Sequence, residues 1–226
     1  IPNGIDTDEY KRTVDPSVLA RYGIDPAKPY VLFVGRMTRQ KGLLYLLQAI
    51  PQLDPETQVV LCAGDSDTPE LQKELEAIIA ELKKHRAGIV WIAEMVSRPT
   101  TIALYSQAAV FCCPSIYEPF GIINLEAMAC NTAVVGSKVG GIAEVVVDGE
   151  TGLLIDAGIS PTMPHDPMDP EGFSTALAEG INRLVRDPEL RTRMGVAGRK
   201  RVLDNYSWRS IAEKTLALYK SLPRSQ

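Results

Sequence analysis

Short apolar runs alternate with helix-like segments along most of the chain. An apolar run of strand length between turn residues predicts a buried strand, whereas apolar residues three or four positions apart predict a helix. Because parallel strands need a crossover connection, usually a helix, this alternation predicts an α/β fold with a doubly wound parallel sheet. The predicted strands are Tyr30–Val34, Gln58–Ala63, Ile89–Ala93, Ala109–Cys113, Ala133–Gly136 and Gly152–Ile155.

The predicted helices lie between these strands and after the last one. Thr68 and Pro69 suit the N-cap and the first turn of the second helix. The stretch Gly158–Pro170 is rich in proline and predicts an irregular surface loop. The last helix is amphipathic with large apolar residues, so we expect it to need a partner surface. The predicted helices are Gly42–Ile50, Leu71–Lys84, Thr100–Gln107, Ile122–Cys130, Ile142–Val147, Glu171–Arg186, Pro188–Asn205 and Trp208–Leu222.

Composition and charge are those of an ordinary globular protein. Of the 226 residues, 45% are hydrophobic and 23% are charged. The net charge of −4, without a cluster of Lys and Arg, argues against a nucleic-acid partner. Apolar runs are too short for a membrane span, and no signal peptide opens the chain. The chain starts at Ile1 instead of Met, so we expect it to be a fragment of a longer, cytoplasmic protein.

The cysteines follow neither a zinc-binding spacing nor a disulfide framework. Cys112 and Cys113 are adjacent, so their side chains point to opposite faces of a strand, and Cys62 and Cys130 end other apolar segments. We interpret all four as small buried hydrophobic residues in a reducing compartment.

Two glutamates flank the start of the fourth predicted helix. Glu118 lies on the loop after the strand Ala109–Cys113, and Glu126 is the only charged residue on a helix that is apolar almost all round. Burying a carboxylate is costly unless something hydrogen-bonds it. The vicinal diol of a ribose could supply two donors to Glu126. The alternative is a structural ion pair with a Lys or Arg from elsewhere in the chain.

The loop after the first strand, Gly35–Gly42, carries Arg36 near its first glycine and Lys41 beside its last. Glycine lets the backbone turn sharply off the strand, and Arg36 and Lys41 could then reach one anion. With the amides of a helix N-terminus, they would neutralise a diphosphate without a metal. The alternative is that both cations belong to a solvated surface. The segment matches neither G-x-G-x-x-G nor a Walker A motif.

Two more glycine-bearing turns link strands to helices, at Phe120–Ile122 and at Gly136–Ile142. Ligands of doubly wound sheets bind beyond the carboxyl ends of the strands, where all three turns fall. Each turn alone could be a plain connection. Together they indicate a ligand site at this edge of the sheet.

We expect no metal site. Asp65 and Asp67 form a D-x-D pair of the kind that can hold Mg²⁺, but they directly precede a helix start, where turn and capping roles explain them. His85 lies at a polar helix end and His165 in the proline-rich loop, so neither has a metal-binding or catalytic partner in sequence.

Taken in order, these segments resemble the C-terminal half of a GT-B glycosyltransferase of family 4. The resemblance covers nearly the whole chain and implies a Rossmann-like donor-binding domain over residues 1–206. The final helix, residues 207–226, would then pack partly on the missing N-terminal domain. The matching segments are Ile1–Asp6, the G-R-x-x-x-Q-K-G motif Gly35–Gly42, the E-x₇-E pair Glu118 and Glu126, Val139–Val146 and Asp148–Leu154.

The resemblance also implies roles for individual residues. Arg36 and Lys41 would bind the diphosphate of a nucleotide-sugar and stabilise the departing nucleotide. Glu126 would hold the ribose hydroxyls, and Glu118 would contact the donor sugar near the reacting carbon. Backbone amides of Phe120, Gly121, Ile122 and Ile123 would contact sugar or phosphate, and Met95 and Val96 would lie near the base. Transfer would retain the anomeric configuration and need no cofactor.

More narrowly, Val59–Gly64, Gly88–Ile92 and Cys113–Pro119 resemble the actinobacterial-type glycogen synthases. Those enzymes use ADP-glucose to extend an α-1,4-glucan or to make maltose-1-phosphate, so a glucan or a sugar phosphate is the implied acceptor. The alternatives are a GDP-mannose or UDP-sugar transferase of the same family, a GT-B epimerase acting on UDP-sugars, and a non-catalytic nucleotide-sugar-binding module. One departure from the family pattern is Asn131, where glycine is usual after the Glu126 helix; Asn tolerates that left-handed position.

Overall fold

The computed structural model describes residues 1–64, 66–160, 162 and 166–222. Within these ranges the strands are β1 Tyr30–Val34, β2 Gln58–Cys62, β3 Ile89–Ile92, β4 Val110–Cys113, β5 Val134–Ser137 and β6 Gly152–Ile155. All pairings between them are parallel. The order across the sheet is β3-β2-β1-β4-β5-β6, which is that of a Rossmann-like doubly wound sheet. The predicted fold class is confirmed.

The strand order reverses between β1 and β4. From β1 the chain moves outward through β2 to β3, and from β4 it moves the opposite way through β5 to β6. Val31 in β1 lies opposite Val59 of β2 on one side and Val110 of β4 on the other. A doubly wound sheet has its ligand crevice at such a switch point, outside the carboxyl ends of the strands. The loops after β1 and β4 are therefore the ones that border it.

Helices cover both faces of the sheet. One apolar cluster joins one face to the helices Leu43–Ala49, Pro69–His85 and Pro170–Arg186, and another joins the opposite face to the helices Pro16–Tyr22, Arg98–Gln107, Ile122–Ala129 and Gly140–Val145. None of the helices in the described ranges has the length and apolar character that a membrane span needs. The helices are α1 Pro16–Tyr22, α2 Leu43–Ala49, α3 Pro69–His85, α4 Arg98–Gln107, α5 Ile122–Ala129, α6 Gly140–Val145, α7 Pro170–Arg186, α8 Pro188–Asn205 and α9 Trp208–Ser221.

Local sequence explains most helix ends. Thr68 caps α3 as predicted, because its hydroxyl accepts a hydrogen bond from the amide of Leu71. The helix α1 has only seven residues and was not predicted from the sequence. Asp15 caps its start and Gly23, with a φ of 68°, ends it in the left-handed conformation. The two caps were the available signal.

The four cysteines are free and buried, as interpreted from the sequence. Burial raises the pKa of the Cys62 thiol to about 11 and that of Cys130 to about 12. They are therefore protonated at neutral pH and pack as small hydrophobic residues.

Candidate functional site

The loops after β1 and β4 are bonded to each other at the switch point of the sheet. The amide of Ile116 donates to the carbonyl of Gln40 at 2.9 Å, and the side-chain amide of Gln40 donates to the carbonyl of Tyr117, also at 2.9 Å. These reciprocal bonds hold the segments that carry Lys41 and Glu118 side by side.

Glycines allow these loops to approach so closely. Gly42 has a φ of 66°, and a Cβ there would overlap the carbonyl of Pro114. The turn after β5 joins them: the amide of Gly141 donates to the carbonyl of Glu118 at 2.8 Å, and a Cβ on Gly141 would overlap the backbone of Phe120. The three glycine-bearing turns predicted to share one edge of the sheet therefore meet there.

Lys41 and Glu118 form an ion pair inside this crevice. The Lys41 Nζ lies 2.7 Å from the Glu118 Oε2, and the amide of Gly121 donates to the other carboxylate oxygen at 3.2 Å. The Glu118 side chain is 9% exposed and that of Lys41 is 21% exposed, so the pair is largely removed from water. The structure thus brings together two of the predicted site residues, and their direct pairing was not predicted.

Arg36 leaves the same loop toward the β2 and β3 side. Its guanidinium is exposed and lies 3.0 Å from the carboxylate of Asp67. Arg36 also borders a cavity of about 280 Å³ with Gly35, Met95 and Val96. The predicted phosphate-binding arginine and the residues predicted near the base therefore share one cavity.

The rim of this cavity contains a carboxylate that the sequence analysis did not single out. Glu94 accepts a hydrogen bond from Arg21 at 2.9 Å and another from the hydroxyl of Tyr22 at 2.8 Å. Both donors belong to α1, and because that helix was not predicted, its contact with the cavity could not be predicted either.

Glu126 is partly buried and faces tyrosines. The hydroxyl of Tyr105 donates to its Oε2 at 3.1 Å, and the hydroxyl of Tyr10 faces the same carboxylate. Burial raises the pKa of the Glu126 carboxyl, while the two hydroxyls and the charge of Arg98 lower it in part. Arg98 itself pairs with Glu9 at 2.9 Å. Within the described part of the chain, the structural ion pair considered for Glu126 is not formed.

The first turn of α5 has no side-chain cap. Gly121, with a φ of 83°, occupies the N-cap position and supplies no side-chain cap to the first turn. The apolar sequence of this helix would suit burial on all sides, but Ile122 is exposed and Ile123 is half-buried at its start. Of the amides predicted to contact sugar or phosphate, that of Gly121 donates to the carboxylate of Glu118.

The residues considered for metal binding have other partners or fall outside the described residues. Asp67 pairs with Arg36, and Asp65 is not among the described residues. His85 contacts Glu81 at 2.9 Å on the surface of α3, and His165 is also outside the described residues. Among the residues that the structure describes, no group of three or more His, Cys, Asp or Glu side chains could hold a metal ion.

The sequence matches the family of glycosyl transferases group 1 over residues 16–201. Among curated proteins, it is 46% identical over 225 residues to the alpha-maltose-1-phosphate synthase of Mycolicibacterium smegmatis. That alignment covers 98% of this chain and 56% of the relative. The chain therefore spans little more than half the length of that enzyme.

Solved structures show the same fold. A sucrose-phosphate synthase from Thermosynechococcus elongatus matches with a TM-score of 0.78 and 31% identity, over 97% of this chain and 51% of the other. Anabaena HepE, solved in complex with UDP-glucose, matches with a TM-score of 0.76 and 24% identity, over 97% of this chain and 56% of the other. The second likeness is a likeness of fold alone.

Proposed function

This chain belongs to the family of glycosyl transferases group 1, and we propose that it forms the donor-binding half of a retaining glycosyltransferase. The observation that carries the proposal is the ion pair of Lys41 and Glu118 at the switch point of the sheet, with Arg36 of the same loop bordering a cavity of about 280 Å³. A cation pair next to a cavity suits a nucleoside diphosphate, and a carboxylate beside it suits the hydroxyls of a sugar.

The proposed donor is ADP-glucose and the proposed acceptor is glucose-1-phosphate. Maltose-1-phosphate consists of two glucose units and one phosphate, so a relative that makes it supports glucosyl transfer to a glucose phosphate. The end of an α-1,4-glucan is the second acceptor to test. UDP-glucose, the ligand in the complex of HepE, is the first rival donor.

In the proposed reaction the bond between the glucose C1 and the diphosphate oxygen breaks, and ADP keeps the electron pair. A hydroxyl oxygen of the acceptor forms the new bond to C1 on the same face, and its proton passes to the departing diphosphate oxygen. Lys41 and Arg36 stabilise the charge that grows on the diphosphate, which is where preorganised cations lower the barrier most directly. Glu118 accepts hydrogen bonds from the donor sugar near C1, and Glu126 accepts them from the ribose.

A nucleotide panel tests this proposal. Calorimetric titration of the chain with ADP, UDP and GDP is expected to give the tightest binding for ADP. Lys41→Ala should weaken ADP at least tenfold, because it removes a charge-assisted contact worth about 1.5–3 kcal/mol. Arg39→Ala is the matched control, since Arg39 lies in the same loop but borders a different cavity, with Leu44 and Tyr45. Equal effects of the two substitutions would overturn the proposed diphosphate site.

We also propose that donor binding needs no divalent cation. Two cationic side chains and the amides at the start of α5 supply the positive charge that Mg²⁺ would otherwise provide. ADP titrations in EDTA and in excess Mg²⁺ should therefore agree within about twofold. A strong Mg²⁺ dependence that Asp67→Asn abolishes would instead assign the metal-binding role to the D-x-D pair.

We propose further that α9 packs in part on a second domain. Ile211 is buried, but Trp208, Leu216, Leu218 and Tyr219 are exposed and leave an apolar surface on the helix. A two-domain transferase completes its site only when the domains close, so the 226-residue chain should bind ADP-glucose without transferring glucose. Transfer to glucose-1-phosphate at the rate of the full-length protein would contradict this.

A further inference from the structure

Tyr105 is a fully buried tyrosine with its hydroxyl directed at a carboxylate of the proposed site. It lies in α4, and its hydroxyl donates to the Glu126 Oε2 at 3.1 Å. Its ring packs edge-on against Phe111, with 5.3 Å between the centroids and 76° between the planes. The hydroxyl of Thr132 donates to its backbone carbonyl at 2.6 Å. The side chain is therefore fixed by packing and by its backbone, independently of Glu126.

A hydrogen bond from the fixed Tyr105 hydroxyl restrains the flexible side chain of Glu126. A glutamate side chain has several rotatable bonds, and a hydrogen bond from a fixed phenol limits the positions that its carboxylate can take. Burial disfavours the charged form of Glu126, and a hydroxyl that donates to the carboxylate favours it. An ionised carboxylate only accepts, as two ribose hydroxyls require, whereas a protonated one loses acceptor capacity.

We propose that Tyr105 is the positioning residue of Glu126. Its hydroxyl orients the carboxylate of Glu126 and keeps it ionised, so that the carboxylate accepts hydrogen bonds from both hydroxyls of a ribose. The inference rests on the proposed function, since it assumes that Glu126 holds the ribose of the donor. Tyr105 itself does not contact the donor. It acts through the Oε2 of Glu126, and the hydroxyl of Tyr10 faces the same carboxylate.

Other titratable or charged groups that face Glu126 do not titrate in the range where this effect acts. Burial raises the pKa of the Tyr10 and Tyr105 hydroxyls above its usual value, and it raises the pKa of the Cys130 thiol to about 12. These three groups stay neutral below pH 7, and Arg98 stays charged. Of these groups, Glu126 is the one that changes charge on mild acidification.

The test removes the hydroxyl and keeps the ring. Tyr105→Phe should weaken ADP roughly three- to tenfold at neutral pH and leave pyrophosphate within about twofold. Without the hydrogen bond from the Tyr105 hydroxyl, the pKa of Glu126 rises. The loss of ADP affinity on acidification should therefore begin at a higher pH than in the unaltered chain. Calorimetric titrations across about pH 5 to 8 measure both effects.

Tyr30→Phe is the matched control. Tyr30 is also buried, and its hydroxyl donates to the backbone carbonyl of Leu104 at 2.6 Å, so this variant loses a buried tyrosine hydrogen bond away from Glu126. Its ADP affinity, and the pH at which that affinity falls on acidification, should match those of the unaltered chain. Thermal unfolding of both variants checks that they remain folded over the pH range used.

Glu126→Gln separates failure of the inference from failure of the proposed function. If it weakens ADP and pyrophosphate equally, Glu126 does not hold the ribose, and that part of the proposed function is wrong. Glu126→Gln could instead weaken ADP selectively while Tyr105→Phe and Tyr30→Phe lose ADP affinity at the same pH on acidification. The ribose site would then stand, and the role of Tyr105 would be overturned.

Discussion

The Lys41 Nζ and the Glu118 Oε2 lie 2.7 Å apart and join two loops that are 77 positions apart in sequence. Both side chains are largely buried, so each charge depends on the other for compensation. The same two residues are proposed to bind the diphosphate and the sugar of the donor. The contact therefore neutralises the charges of the site and also fixes the distance between its phosphate-binding and sugar-binding parts.

Loss of Lys41 should destabilise the fold as well as weaken binding. Lys41→Met leaves the carboxylate of Glu118 buried without a cation, although it still accepts a hydrogen bond from the Gly121 amide, and we expect a loss of about 2–3 kcal/mol in the free energy of unfolding. Urea denaturation measures it. Lys200→Met, which breaks the exposed pair with Asp204, is the control and should cost less than about 1 kcal/mol.

A double-mutant cycle checks that the cost comes from the pair. Lys41→Met combined with Glu118→Gln removes both charges, so the double variant should be more stable than Lys41→Met alone. A double variant that loses the sum of the two single effects would mean that the two side chains act independently of each other.

Arg36 and Asp67 should respond in opposite directions to substitution. Their pair is exposed, so breaking it costs the fold little, but Asp67 competes with a diphosphate for the guanidinium. Arg36→Ala should therefore weaken ADP by about 1.5–3 kcal/mol. Asp67→Asn should leave ADP affinity unchanged or raise it. A loss of affinity in Asp67→Asn, measured by calorimetry, would show that Asp67 helps to bind the donor.

The sequence predicted the sheet well because the relevant signals are local. The bounds of β1 and β6 match, those of β2, β3 and β4 differ by one residue at one end, and β5 is shifted by one residue at both ends. The agreement is close because the apolar residues of a buried strand identify it locally. The edge at which Arg36, Lys41 and Glu118 gather follows from the parallel topology. Side-chain partners did not follow: Tyr105 in α4 has the pattern of a core residue, and its bond to Glu126 depends on how α4 packs against α5.

The environment of Glu126 could be predicted from the sequence only in part. Its position on an apolar helix correctly indicated a partly buried carboxylate with a high desolvation cost. Sequence reasoning offered a ribose diol or a cation as its partner, and the structure adds tyrosine hydroxyls as a third class. A hydroxyl from a distant segment leaves no local mark in the sequence, so this contact required the fold.

Close approach of the loops should make Gly42 far less tolerant than a glycine with similar backbone angles elsewhere. Gly42 and Gly149 have φ values of 66° and 75°, so alanine is strained at both, at a cost of about 1–2 kcal/mol. Of these two positions, only Gly42 is so close to a neighbour that an added Cβ would overlap it, namely the carbonyl of Pro114. Gly42→Ala should therefore cost at least about 1–3 kcal/mol more than Gly149→Ala in urea denaturation.

The outcome also bears on the site. If Gly42→Ala pushes the loops after β1 and β4 apart, it should weaken ADP as well, whereas Gly149→Ala should leave ADP binding unchanged. Equal stability losses in the two variants would show that the crevice can widen without cost.

Glu126→Gln should stabilise the fold while it weakens donor binding. Burial is the largest cause that raises the pKa of Glu126 above its ordinary value, so the folded state penalises the ionised form. For a carboxyl with a raised pKa, the penalty is fully present above the folded-state pKa and disappears as the pH falls toward the ordinary value. The glutamine variant lacks that penalty, so it should unfold a few degrees higher than the unaltered chain at neutral pH. The difference should shrink on acidification.

Glu81→Gln gives the opposite sign as a control, because hydrogen bonds from Lys84 and His85 lower the pKa of Glu81 and its ionised form favours the fold. A Glu126→Gln variant that unfolds at a lower temperature than the unaltered chain at neutral pH would assign this carboxylate a structural role instead.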